Sequence, residues 1–459
     1  MRDAVAAPKI ETVLTFILGR EYFVTVEDSG QGYDNDLTEF FLDARQKAFD
    51  WIVNQDPMQL EYDSSNLVQR FLLVLFYFQT TRHQPWKQCN PPATAQGSSS
   101  SNFCYRNHPV TGETTNGIWG DQWLTKSHEC QWAGVVCETV ESKEKTVAEL
   151  SLYGNHLNGP LPWEITQLPE LTDLRLSKNI LSGVLPPGLL FLDSSPLRSL
   201  DLDGNKFIGT VPARWFESLN EGTAQLTSLA VSSNRLTGTI PTEVCLLPLN
   251  RLVLENNTLT GPLPREIVNQ TSLTHLYLGK NDLTGTLPSE IGLLTNLQIL
   301  DLNNAYISGP LPSEIGLPSL LYQIILSNTN MEGTIPEELY TTGSDLDVLL
   351  LDSCNLSGSI SSSLGLLTNL KWLHLSNNNF YGPLPNEIEA LTNLRHLLVN
   401  GNQFTGTVPE SVCQNLYVEG EFSNKVVADC LPNPETGVPF IQCSCCTSCC
   451  DDTGVCLAN

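Results

Sequence analysis

A spacing of about 24 residues governs this chain. From residue 147 onward it follows LxxLxLxxNxLxGxIPxxΦxxL, where Φ is apolar. The first turn reads Val147, Leu150, Leu152, Asn155, Leu157, Gly159, Leu161 and Pro162. The sixth reads Leu273, Leu276, Leu278, Asn281, Leu283, Gly285, Leu287 and Pro288. Eleven turns open at Val147, Leu171, Leu197, Leu226, Leu249, Leu273, Leu297, Leu321, Leu346, Leu370 and Leu394, two of them lengthened near Ser194 and Glu221. A period of this length implies a solenoid, because one turn buries too little apolar surface to offset the entropy of ordering it, and stacked neighbours share a continuous core.

Each position of the turn has a physical task. Positions 1, 4 and 6 are apolar and point inward from a short strand and its entry, whereas positions 3, 5 and 7 alternate outward. Asn at position 9 can bond backbone groups of adjacent turns, which a buried loop must satisfy. Gly at position 12 permits conformations that a Cβ resists, and the Pro that follows stiffens the convex side. Ala305 and Thr329 hold the Asn position in turns seven and eight, which predicts a weakened ladder there. Cys354 holds it in turn nine, where cysteine is a known structural alternative, and Ser361 replaces the Pro of that turn.

The 459 residues are 41% hydrophobic, which implies a folded chain. With 24 Lys+Arg against 50 Asp+Glu the net charge is −26. Phosphate binding requires a basic surface, so nucleic acid and bare anionic membrane are excluded as partners. The longest apolar run, Phe71 to Phe78, is too short to span a bilayer and reads as a buried helix. Glu11 interrupts the apolar stretch at the N-terminus, which leaves no convincing signal peptide. The cysteines argue differently. Cys89, Cys104, Cys130 and Cys137 precede the repeats; Cys413, Cys430, Cys443, Cys445, Cys446, Cys449, Cys450 and Cys456 follow them; only Cys245 and Cys354 lie within. Clusters at both ends imply disulfide-stapled caps in an oxidising compartment. A thiolate metal cluster is the alternative for the C-terminal group, disfavoured because that tract has no histidine and no zinc-finger spacing.

The LxGxIP signature resembles the plant-type leucine-rich-repeat class found in receptor-kinase ectodomains and polygalacturonase inhibitors. Cys130-Gln-Trp-Ala-Gly-Val-Val-Cys137 is similar to the CxWxGVxC ending of its N-terminal cap, and this resemblance implies a Cys130–Cys137 bridge. Ala48 to Gln79, the Trp-rich stretch to Trp132 and the tail ADC…CSCCTSCC resemble the large leucine-rich-repeat family of diatoms, so that the likeness covers about residues 38–456. The expected architecture is an α/β solenoid: a right-handed leucine-rich-repeat horseshoe with a parallel concave β-sheet, about eleven 24-residue repeats, a helical N-terminal cap and a Cys-rich C-terminal cap. Expected boundaries are a disordered segment over 1–36, the N-terminal cap over 37–146, the solenoid over 147–415 and the C-terminal cap over 416–459. Phe41, Ala44, Ala48, Trp51 and Ile52 lie at helical spacing within 38–54, a second helix spans 65–79, and 92–102 reads as a flexible loop. Cys89 is assigned to Cys104 by elimination.

Catalytic signatures are missing: there is no GxxxxGK[ST], no HExxH and no kinase set. Asp201-Leu-Asp-Gly-Asn205 resembles the start of a calcium loop, but register puts Leu202 in the core and no closing Glu follows. Asn256, Asn269 and Asn355 begin glycosylation sequons. The informative columns face the groove. Position 5 of turns five to eleven carries Val253, Tyr277, Asp301, Ile325, Leu350, His374 and Leu398, and position 3 adds His275, Ile299, Val348, Trp372 and His396. With strands about 4.8 Å apart these form a strip about 30 Å long that should face solvent. An exposed apolar strip with Trp, Tyr and His marks a binding surface, although β-propensity alone also favours Val, Ile and Tyr. His374 and His396 sit diagonally on neighbouring strands and read as an ordinary surface pair rather than a metal or pH site. The ligand-binding set is therefore Val253, Tyr277, Ile299, Ile325, Val348, Leu350, Trp372, His374, His396 and Leu398, with no catalytic residue, cofactor or metal.

These readings converge on a non-catalytic recognition module for a protein, peptide or glycan, receptor-like or secreted, at the cell surface or outside the cell, with any membrane attachment made through an anchor outside this chain. An inhibitor of a secreted cell-wall-degrading enzyme and a structural or adhesive protein are the alternatives. An ice-binding surface favours a regular Thr array, and the mixed Pro, Thr, Val and Ser at position 13 disfavour it.

Overall fold

The computed structural model describes residues 35–58, 60, 66–81, 85–87, 89, 121–139, 145–187, 189, 196–213, 215, 225–342, 345–416, 425–432, 439–451 and 455–458. The expectations for residues 1–34, for the loop at 92–102, for the side chain of Phe41 and for Cys104 with its bridge lie outside them. Two compact units divide the chain, Met1–Arg235 and Leu236–Asn459.

The N-terminal unit begins with helix α1 (Asn35–Asp50), which runs into a π-helical turn, Trp51–Gln55, and is followed by helix α2 (Asn66–Gln79). Ala44, Ala48, Trp51 and Ile52 are buried, as their spacing predicts, and α2 is buried around nearly its whole circumference. Between these helices and the first repeat lies an aromatic cluster of Trp51, Phe76, Tyr77, Trp86, Trp123 and Trp132, with neighbouring ring centroids 4.8–6.5 Å apart. Strand β1 (Val135–Thr139) pairs antiparallel with β2 (Lys145–Ser151), covering the open edge of the first turn. Cys130 and Cys137 are bonded across the entry to β1. From β2 onward the sheet is parallel: β3 (Asp173–Arg175), β4 (Ser199–Asp201) and β5 (Ser228–Ala230), with Leu150, Leu174, Leu200 and Leu229 aligned in register and buried.

The C-terminal unit repeats this pattern in β6 (Arg251–Val253), β7 (His275–Tyr277), β8 (Ile299–Asp301), β9 (Gln323–Ile325), β10 (Val348–Leu350), β11 (Trp372–His374) and β12 (His396–Leu398). Each strand is three residues long and its middle residue is core. On the opposite side the chain makes one 3-10 turn per repeat, such as Ser289–Leu293, or a short helix, α3 (Glu337–Thr342) and α4 (Glu410–Leu416). A proline precedes most of these turns; in turn nine Ser361 takes its place and caps the turn by accepting a bond from the Ser363 amide at 3.1 Å. Gly285, at position 12, has φ +83°, and a Cβ there would lie 3.2 Å from the Cβ of Pro262 in the preceding turn, so glycine is required on two counts.

The Asn ladder is explicit. Asn281 Nδ2 donates to Leu254 O at 3.0 Å in the preceding turn and to Leu278 O at 2.9 Å in its own, while its Oδ1 accepts from Leu259 N at 3.0 Å. Asn179 and Asn378 do the same. Ala305 brings no polar atom to this position, and Thr329 and Cys354 reach Leu326 O at 2.8 and 3.4 Å. Both offer fewer bonds than an amide, which is the physical content of a weakened ladder. Cys354 and Cys245 are unpaired and buried, and burial raises both thiols, that of Cys245 to about 12, so neither is a reactive group.

Beyond Leu416 the stack continues. Strand β13 (Lys425–Ala428) lies parallel to β12, β14 (Ser448–Cys450) parallel to β13, and β15 (Cys456–Ala458) antiparallel to β14. Disulfides Cys413–Cys445, Cys430–Cys449, Cys443–Cys446 and Cys450–Cys456 fasten this end. The sulfurs of Cys430, Cys443 and Cys446 lie within 4.8 Å of one another because two disulfides are adjacent.

Candidate functional site

Parallel register converts the outward positions into two lateral rows on the C-terminal unit. One runs Val253, Tyr277, Asp301, Ile325, Leu350, His374, Leu398 and Val427; the other runs Arg251, His275, Ile299, Gln323, Val348, Trp372, His396 and Lys425. All ten residues of the expected set therefore lie on one face of one sheet.

Their exposure is uneven, and two require correction. Val253 and Ile299 are buried, at 4% and 5% exposure, so they do not face solvent as the alternation alone implies. Ile299 stands between the larger His275 and Gln323, and Val253 stands beside Tyr277; on closely spaced strands a short side chain is shadowed by longer lateral neighbours. Tyr277, Ile325, Val348, Leu350, His374, His396 and Leu398 are half-buried, and Trp372 is exposed at 41%. The accessible surface is thus concentrated toward the C-terminal strands.

There the rings are organised. Trp372 stacks on His396 with centroids 4.3 Å apart and planes at 24°. His374 approaches both, at 5.8 Å from Trp372 and 6.1 Å from His396. Burial is the main cause that lowers both imidazoles, with Lys425 adding to it, so both are neutral near pH 7. A second group lies farther along the rows: the Arg251 guanidinium sits 5.7 Å over the Tyr277 ring, which stands 6.2 Å from His275. His275 is also lowered, by burial and by Arg251.

Asp301 is the strained member of its row. It is 6% exposed, accepts a bond from Asn303 N at 2.9 Å, and burial raises its carboxyl to about 6, against the lowering by that bond. Its folded pKa lies above the unfolded value of about 3.9, so it opposes folding when ionised and that penalty is relieved as pH falls through about 6. Asp301→Asn is expected to stabilise the C-terminal unit at pH 7.5, and its advantage over the native residue to shrink by about 1 kcal/mol at pH 5. Paired urea titrations at the two pH values measure this; an advantage independent of pH would show that the carboxyl does not titrate there.

The remaining candidate positions are accounted for. Leu202 is in the core, Asn205 serves the ladder, and Asp201 and Asp203 accept bonds from Ser177 and Ser232, which leaves the calcium-like segment structural. Asn256, Asn269 and Asn355 are exposed. What sequence reasoning missed is the strand that brings Lys425 and Val427 to the end of both rows, and the polar residues just past the strands, among them Asp352, Ser376 and Asn400. The β-branched pair Val426-Val427 within Lys425-Val-Val-Ala was the available signal.

The family Leucine Rich Repeat matches residues 225–247, 272–294, 296–317, 369–391 and 393–415. The chain thus carries leucine-rich repeats. It is 31% identical over 162 residues to Receptor-like protein 3 of Arabidopsis thaliana, a match covering 29% of this chain and 21% of that relative, so the chain spans about a fifth of the relative's length. Among solved structures it resembles the plant peptide hormone receptor RGFR1 in complex with RGF2, at 30% identity and TM-score 0.55 over 65% of this chain and 44% of that one. It also resembles the ectodomain of the Arabidopsis receptor kinase HAESA in complex with an IDA peptide hormone, at 29% identity and TM-score 0.55 over 62% and 51%. The leucine-rich-repeat solenoid is of the type found in plant receptor ectodomains. Among the described residues no helix is long and apolar enough to cross a membrane.

Proposed function

We propose that this leucine-rich-repeat chain is a non-catalytic recognition module, extracellular or at a cell surface, that binds an extended peptide or protein segment along the two rows of its C-terminal unit. The observation that carries the reading is the Trp372–His396 stack: a large aromatic ring, held on one side and 41% exposed, among half-buried apolar neighbours. Preorganised aromatic anchors surrounded by partly shielded apolar residues are the composition of binding hot spots. The similarity to receptor ectodomains bound to peptide hormones supports the same reading, and the disulfide-fastened caps support the compartment.

Selection of displayed random peptides on the immobilised chain tests it. Selected peptides are expected to lose about 2–4 kcal/mol of affinity when Tyr277, Leu350 and Trp372 are all replaced by Ser, with the melting curve unchanged. Failure to enrich any peptide, or equal binding by the triple variant, overturns the reading.

A further inference from the structure

The lateral row from Arg251 to Lys425 begins and ends on a cation and contains no acid. In a chain with 24 Lys+Arg against 50 Asp+Glu, that is an uneven use of charge. Other cations beside these strands are already occupied. Lys280 bonds Glu255 at 2.7 Å, Lys371 bonds Asp347 at 3.0 Å, and Arg395 donates to Leu394 O at 3.2 Å. Arg251 and Lys425 are both exposed, and among the described residues neither forms an ion pair.

Each end is set against rings. The Arg251 guanidinium lies 5.7 Å over the Tyr277 ring, which orients its fork without neutralising it. Lys425 stands opposite His396 in register, so the Trp372–His396 stack ends on a positive charge. Between the ends the surface changes character. Asp301, 6% exposed, lies in the adjoining row, and Ile325, Val348 and Leu350 follow on the next strands. A carboxylate seated there would face Asp301 and exchange water for apolar contacts, and both are unfavourable.

Seven strand spacings of about 4.8 Å separate Arg251 from Lys425, about 34 Å along the sheet. An extended chain advances about 3.3–3.6 Å per residue, so about ten residues bridge the two cations. We propose that the recognised segment is an extended peptide with an acidic group near each end, about ten residues apart, and an uncharged, partly apolar stretch between them. It rests on the recognition reading, and adds the length and charge pattern of the ligand. A uniform polyanion, such as an acidic polysaccharide, repeats its charge across Asp301 and the apolar middle and matches the ends alone.

The test compares displayed random peptides of about 16 residues, long enough to cover the span, selected on the full chain and on the Arg251→Glu, Lys425→Glu double variant. Both side chains are exposed, so the variant is expected to keep the native melting curve. The native pool is expected to concentrate Asp and Glu at two positions about ten residues apart, and the variant pool to place Lys and Arg there. In one synthetic peptide from the native pool, replacing either acid by its amide is expected to weaken binding at least about threefold. One acid should lose its effect in Arg251→Ala and the other in Lys425→Ala; these single variants carry the test if the double variant does not fold. The same charge pattern in both pools, acid at one end alone, acids indifferent to both alanine variants, or tighter binding of oligogalacturonate than of the peptides each overturns the proposal. Selected peptides that depend on Trp372 yet carry no such pair of acids remove the charge pattern and leave the recognition reading in place, whereas no enrichment on either protein removes both.

Discussion

Replacing Arg70 by alanine is expected to destabilise the N-terminal unit by about 3–5 kcal/mol, the range for removing one partner of a buried ion pair. The side chain is fully buried, and every N–H of its guanidinium is used. Nε and Nη2 bond the two oxygens of Asp56 at 3.0 and 2.8 Å, Nη1 reaches Glu129 at 3.3 Å, and Thr125 O and Ser127 O accept at 2.7 and 3.1 Å. The plane lies 4.6 Å from the centre of the Trp132 ring and 5.4 Å from that of Trp51. Alanine strands two buried carboxylates, one 3% and one 0% exposed, and two carbonyls, and opens space between two indoles. Arg70→Lys keeps the charge but has three donors in place of five and no planar fork, so it is expected to recover only part of the loss. Denaturant titration followed by tryptophan fluorescence reads the effect, since both rings flank the residue. A loss below about 1 kcal/mol would mean that the carboxylates find water or neutralise without consequence. Lys47→Ala serves as a contrast, because the Lys47–Asp43 pair is exposed at both ends and such pairs contribute little.

Arg70 also marks the boundary of what the sequence could reveal. The helix was legible from its apolar run, yet the one charge inside it is explained only by Asp56, 14 residues away, and Glu129, 59 residues away, partners that no local pattern connects. The repeats are the opposite case. Their contacts run between residues about one turn apart, so spacing alone places Asn281 against Leu254 and aligns Leu276 with Leu300. The same alternation put all ten candidate residues on one face but could not rank their exposure, because shadowing depends on the sizes of lateral neighbours in two other turns. The last strands were illegible for a further reason. Val426 is core where the repeat has Leu, and Asp429, which the register sets opposite Asn400 and not at the ladder position, accepts from Gly401 N and Asn402 N at 2.9 and 3.1 Å without offering a donor.

That breakdown of the pattern shows why the C-terminal end depends on covalent bonds, and why reduction is expected to have the second large effect. A solenoid end exposes core: without β13, the Leu397 layer has no lateral partner on its outer side. The segment that covers it contributes few apolar side chains to the core, chiefly Val426, Ala428 and Ile441, too little to hold an irregular tail by packing alone. Disulfides supply the difference. Cys413–Cys445 closes a separation of 32 residues, from α4 to the tail, for which loop-closure entropy gives about 3–4 kcal/mol. Cys430–Cys449 closes 19, and Cys450–Cys456 ties β14 to β15. Cys130–Cys137, closing only 7, contributes less by the same argument, and its surroundings are held by the aromatic cluster and Arg70. Reductant is therefore expected to loosen the C-terminal unit first. Hydrogen exchange should show β13 and then β12 losing protection while β2 to β4 keep theirs, and Cys413→Ser with Cys445→Ser should reproduce most of the effect without reductant. Uniform loss of protection across both units, or a reduced protein with the oxidised exchange pattern, would show that packing and not the cross-links holds this end.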